Sequence, residues 1–245
     1  FMVYAHLQLA QDAKARTLAE ATAAARTDSP LLANHTAVAV VPARYPLERG
    51  DWAAAAALPI APTGRPMADG LVRFARGLGM ARSGDLAGAR REIQALRELR
   101  AALEKASQPY WAERTDEQIL AVSAWVAAAD GAREQALKDM RAAADGEDGS
   151  IKHVAMENRL YPMRELLGEL LLQSGQAAAA LREFESANTE NPNRFRGLYG
   201  AARAAEAAGD RARATAYFEK LVALASKADT VRPETTYARA FLGRR

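Results

Sequence analysis

The sequence contains no cysteine, which excludes a disulfide framework and any thiolate metal site. Histidine is almost as scarce. His6, His35 and His153 stand far apart, with no paired-ligand spacing of the HExxH kind, so no metal site is expected. Aromatic residues make up 7% of the chain. No valine, isoleucine or threonine run alternates at period two for long enough to make a strand. No apolar stretch approaches the roughly 18 residues of a membrane-spanning helix. There is no phosphate loop, GxGxxG or GxSxG. No catalytic residue and no cofactor is therefore expected. Asp145, Glu147 and Asp148 look like the start of a calcium loop. Ser150 and Met156 then occupy the places where an EF-hand needs glycine and glutamate, so a solvated acidic turn is the better reading.

Charge of one sign is lacking too. Lysine and arginine number 33 against 30 acidic residues, a net +3, and the two signs interleave along the chain. That pattern is a solvated helix surface, not a nucleic-acid footprint. No signal-peptide pattern is visible. The chain opens in an ongoing helical pattern (Val3, Leu7) and reads like part of something longer, with any targeting region upstream. The compartment stays open between cytoplasmic and exported.

What is present is helical periodicity, clearest over residues 162–224. Met163, Leu166, Leu167, Leu170 and Leu171 recur at steps of three and four, one stripe of an α-helix. Ser174-Gly175 stops that helix. A second stripe runs Ala177, Ala180, Leu181, Phe184, Ala187 and ends at Asn191-Pro192-Asn193. A third runs Phe195, Leu198, Tyr199, Ala202 to Gly209-Asp210, and a fourth Ala214, Tyr217, Phe218, Leu221. Each helix is short and has one apolar stripe, so each is marginal alone and must stack on neighbours. Gly168 and Ala180 sit mid-helix, where small side chains allow close approach.

Gly175 and Gly209 are 34 residues apart, and so are Gly50 and Gly84. This is the tetratricopeptide period. Gly168, Ala180, Phe184, Ala187 and Pro192 resemble the small, small, aromatic, small and proline positions of the tetratricopeptide signature, in order. Ala202, Ala214 and Phe218 repeat part of it. The chain as a whole resembles a group of bacterial tetratricopeptide proteins in which this region forms the C-terminal part of a longer, often exported chain. The resemblance implies an all-α fold, an α-α superhelix of antiparallel helix pairs.

Taken in order, residues 1–25 read as a helix pair jointed near Gln11-Asp12. A helix over 31–49 is expected to break near Pro42, since Pro42 and Pro46 each remove a backbone hydrogen bond. Trp52–Leu58 is a short helix and residues 59–66 a proline-rich loop. Helices follow over 67–82 and 86–107, then over 111–129 and on through Met140 and Ala143. Residues 145–162 read as a loop. Pro233 starts a capping helix. The expectation is about 12 helices in a single array over 1–245. Degenerate units cover 1–58 and 67–145, the best-matched units 161–226, and the cap 233–243.

The family resemblance implies a non-enzymatic scaffold that binds a protein or peptide in its concave groove, lined by the first helix of each pair. Carrying the helical phase onto this sequence places Phe74, Leu78, Trp125, Glu169, Tyr199 and Arg203 on that side, with Arg44 beside them. Phe74 and Trp125 fit equally well as core residues. The basic, asparagine-rich carboxylate clamp of the chaperone-binding subgroup is absent; the corresponding face shows Glu165, Glu169, Tyr199 and Arg203. An alternative is a small-molecule-binding or catalytic helical domain, with a pocket near Trp125 and residues 145–160. A third is homo-oligomerisation through the long helix over 86–107, whose coiled-coil-like seam Arg100 interrupts.

Overall fold

A computed structural model describes residues 1–25, 32–150 and 159–243. Among the described residues there are thirteen helices and no strand. They are α1 (Met2–Gln8), α2 (Asp12–Ala24), α3 (Leu32–Arg49), α4 (Trp52–Ala56), α5 (Pro66–Ser83), α6 (Leu86–Lys105), α7 (Pro109–Ala129), α8 (Arg133–Asp148), α9 (Met163–Gln173), α10 (Ala177–Glu190), α11 (Phe195–Ala207), α12 (Arg211–Leu224) and α13 (Pro233–Leu242). They form two compact units. A central unit covers Ala19–Met163; a terminal unit combines Phe1–Leu18 with Arg164–Arg245.

The joints follow from backbone chemistry. Gly50, Gly84, Gly131, Gly175 and Gly209 all have positive φ, between 65° and 97°, a conformation open to glycine and strained for other residues. Three of these glycines are followed by aspartate, and each aspartate caps the next helix. Asp51 accepts from the Ala54 N–H at 3.0 Å, Asp85 from Gly88 at 2.8 Å and Asp210 from Arg213 at 2.9 Å. The Gly-Asp pair thus ends one helix and starts another.

In the central unit α4 packs on α5, α5 on α6 and on α7, α6 on α7, and α7 on α8. Glycine sets the closest approach. A Cβ at Gly79 would lie 2.5 Å from the Ala56 backbone nitrogen and 2.7 Å from the Trp52 carbonyl oxygen, so α5 and α4 touch backbone to backbone. Arg82 lies between two indoles, 3.8 Å above Trp52 and 4.0 Å above Trp125, a doubled cation–π contact. The apolar seam of α6 (Ala89, Ile93, Leu96, Leu103) is buried within this unit. Arg100, which interrupts that seam, pairs with Asp116 of α7 and with Glu104.

Two expectations are corrected. The helix over 31–49 does not break at Pro42; α3 runs through both prolines. They stand four apart, so both lost hydrogen bonds fall on one face and the remaining ladder keeps the helix together. Residues 145–148 are helix, not loop. Ala143, Ala144 and Glu147 continue the buried face of α8. Its last inward position is a glutamate, which an apolar pattern cannot register.

In the terminal unit the Phe184 ring of α10 lies between two glycines. A Cβ at Gly168 of α9 would meet it at 2.9 Å, and one at Gly200 of α11 at 2.3 Å. The N-terminal segment belongs to this unit. Asp12, fully buried, pairs with Arg232, which also donates to the Leu7 carbonyl at 2.9 Å and stacks on Phe195 at 4.3 Å. Asp229 accepts from the backbone N–H groups of Ala13 and Lys14. Gln8 accepts from the Phe195 N–H at 2.7 Å, capping α11 from α1.

Gly200→Ala should destabilise the protein by about 1–3 kcal/mol through overpacking, despite the roughly 1 kcal/mol that alanine gains over glycine in a helix. Denaturant unfolding measures this. Adding Phe184→Leu to that variant should cost less than Phe184→Leu in the wild type. Wild-type stability of Gly200→Ala would refute the packing account.

Candidate functional site

α11 is buried on nearly all sides. Phe195, Gly197, Leu198, Gly200, Ala201, Ala202, Ala204 and Ala205 are buried, because alanine and glycine let its neighbours close in. Before Ala207 only Arg196, Tyr199, Arg203 and Glu206 escape burial. Their spacing of three, four and three puts them in one stripe.

Side chains from α9 and α13 extend this stripe. Arg196 pairs with Glu169 of α9 at 3.1 Å and with Glu234 of α13 at 3.7 Å. Arg203 donates to the Tyr199 hydroxyl at 3.1 Å and pairs with Glu206 at 3.2 Å. Its guanidinium lies 4.4 Å above the Tyr237 ring of α13, and the two tyrosine rings meet edge to face at 6.3 Å. The Tyr237 hydroxyl donates to both Glu206 oxygens, at 2.9 and 2.8 Å. Partial burial and the bond to this carboxylate, in that order, raise the Tyr237 pKa above its ordinary value; Arg203 pulls the other way.

Of the residues singled out in the sequence, Glu169, Tyr199 and Arg203 belong to this one surface. Phe74, Leu78, Trp125 and Arg44 lie in the central unit and are buried there. Phe74 is 1% exposed and Leu78 is fully buried. Arg44 donates to the carbonyls of Arg159 at 2.6 Å and Leu160 at 3.3 Å. Glu165, placed on the binding face by helical phase, is 1% exposed and pairs with Arg194 at 2.7 Å inside the terminal unit. Arg196, Glu206, Glu234 and Tyr237 were missed. Arg196 and Glu206 continue the three-four spacing of Tyr199 and Arg203, and that spacing is the signal that could have found them.

The central unit holds a partly enclosed cavity of about 40 Å³, room for roughly three water molecules. Its apolar wall includes Met67, Leu71, Phe74 and Trp111, and its polar wall Arg114, Glu117, Gln118, Glu147 and Arg159. Trp125 is not part of the lining. Glu147 and Arg44 hold the segment entering α9: Glu147 accepts from the Met163 N–H at 2.8 Å, and Arg44 grips the two carbonyls named above. His153 and most of residues 145–160 beyond Ser150 lie outside the described residues. Among the described residues no three metal-ligating side chains cluster, and no helix is long and apolar enough to cross a membrane.

No family model and no curated protein matches the chain.

The Tyr237 hydroxyl stays protonated above the pH at which an ordinary tyrosine ionises. The stability this bond contributes is fully present below the unfolded-state pKa and is lost as pH rises through the folded-state pKa. Tyr217, partly buried and bonded to Glu185, is also raised, so ultraviolet absorbance titration should show late tyrosines of which Glu206→Gln brings one down toward pH 10. An unchanged titration curve would remove the Tyr237–Glu206 bond from the account.

Proposed function

We propose that the chain is a tetratricopeptide-like array that works as a non-enzymatic scaffold, holding a protein segment on the stripe formed by α9, α11 and α13. The observation that carries this reading is the convergence of Glu169, Arg196, Tyr199, Arg203, Glu206 and Tyr237 on one surface. Two pairs of glycine joints at an interval of 34, Gly50 with Gly84 and Gly175 with Gly209, support the array. So does the Phe184 ring held between Gly168 and Gly200. On this reading α9 and α11 are the first helices of successive pairs, the elements that line the groove in the family it resembles, and α13 is the cap beside them.

The chemistry of the surface suits a peptide. Tyrosine and arginine combine large contact area with directed hydrogen bonds at little entropic cost. Each arginine already has glutamate partners, so the side chains are held in place before a partner arrives. The same pairing leaves little net charge to attract one. The partner is a segment gripped by stacking on Tyr199 and Tyr237 and by hydrogen bonding, not one of strong opposite charge.

The test is a displayed peptide library selected against the protein. Selected peptides should lose at least about tenfold in affinity, one or two hydrogen bonds' worth, when Tyr199→Ala and Arg203→Ala are combined, with the helical circular dichroism unchanged. Their affinity should vary little between low and moderate salt. Trp125→Ala is unsuitable as a probe because Trp125 is core. Failure to enrich any peptide, or equal affinity for the double variant, would refute the reading.

A further inference from the structure

The cavity of the central unit has polar requirements that the protein leaves unmet. Arg114 is 11% exposed and pairs with Glu117 at 2.7 Å through Nη2. Its Nε and Nη1 are buried and have no hydrogen-bond partner. Gln118 Oε1, one residue along α7, is likewise buried without a donor. Both side chains line the cavity. Donors and an acceptor left unmet on one wall cost free energy unless an occupant satisfies them.

We propose that this cavity is a binding site for a carboxamide group on a short apolar stem. The carbonyl oxygen of an amide accepts from Arg114, and its N–H donates to Gln118 Oε1. Charge separates this from the other small polar groups. Arg114 and Arg159 face Glu117 and Glu147 in the lining, and Arg159 pairs with Glu147 at 3.6 Å. These four charges cancel, so a carboxylate would bury a net negative charge and an ammonium a net positive one. A carboxylate would also leave Gln118 Oε1 facing another acceptor. A neutral amide meets both needs at once. The opposite wall of Met67, Leu71, Phe74 and Trp111 takes the stem; the volume encloses the amide with about one carbon, and a longer stem leaves through the open side. The carboxamide can belong to a free small amide or to the end of an asparagine or glutamine side chain of another protein; the recognising chemistry is the same.

The experiment is a chemical-shift titration of the full chain with acetamide, following the Gln118 side-chain amide and the Trp111 indole N–H. Both resonances should move and saturate together at millimolar acetamide. Acetate and methylammonium should bind at least about tenfold more weakly, the loss expected for one buried hydrogen bond or mismatched charge. Gln118→Met, which keeps the volume and removes the acceptor, should weaken acetamide about tenfold while its melting curve stays close to wild type. Should that variant unfold, the wild-type comparison of acetamide with acetate still decides the matter. A capped glutamine peptide that binds more tightly than acetamide supports the site and identifies a protein side chain as the source. One that binds no more tightly also supports it and identifies a free amide. Absence of saturable shifts at Gln118 and Trp111, or acetate binding as tightly as acetamide, overturns the proposal.

Discussion

Close approach of helix backbones is the constraint on which the rest of this structure depends. An alanine-rich chain with few aromatics has little side-chain volume with which to fill a core, so its helices must come near enough to bury what there is. Gly79 lets α5 rest on the backbone of α4. Gly168 and Gly200 admit the single large ring of Phe184 from both sides. The same economy makes α11 buried almost all round, and so reduces its accessible surface to one stripe. The candidate site is therefore a by-product of packing: where the helix cannot be covered, it carries arginine, tyrosine and glutamate.

Ion pairs inside each unit fix where helices and loops sit. Glu165 and Arg194 join the start of α9 to the start of α11. Gly197 is needed beside them, since a Cβ there would lie 2.8 Å from Glu165 Oε1. In the central unit buried Glu92 of α6 receives both Arg73 and Arg76 of α5, at 3.0 and 2.8 Å, and Arg76 also donates to the Leu58 carbonyl. Such pairs add little stability compared with well-packed apolar residues, but removing one partner leaves a stranded charge. They select one register among helices whose alanine faces would otherwise slide.

Much of the fold was legible because glycine and apolar spacing leave direct marks on a sequence. Gly50, Gly84, Gly175 and Gly209 stood out by their spacing, and all four have positive φ at helix joints. Helix positions from Pro66 onward follow the apolar stripes closely. What stayed hidden was carried by charged residues in buried places. The end of α8 turns inward at Glu147, Arg44 is spent on two carbonyls, and Glu165 lies in the core although its phase suggested a surface. A charged side chain reads as solvated until its partner is known, and the partner is distant in sequence. The candidate surface was half legible for the same reason. Glu169, Tyr199 and Arg203 follow from helical phase, whereas Glu234 and Tyr237 arrive from α13.

The pairing of Asp12 with Arg232 has a consequence for how the protein comes into being. The two residues are 220 positions apart, and the loop between them contains the whole central unit. During synthesis α1 and the start of α2 emerge before the central unit, and their partners in the terminal unit after it. Closing so long a loop costs only a few kcal/mol once, because the penalty grows with the logarithm of length. The delay is the larger matter. At about 5–20 residues per second, the apolar side of α1 waits more than ten seconds for its cover, while the central unit can complete itself on the ribosome. A segment made before the central unit is thus folded after it.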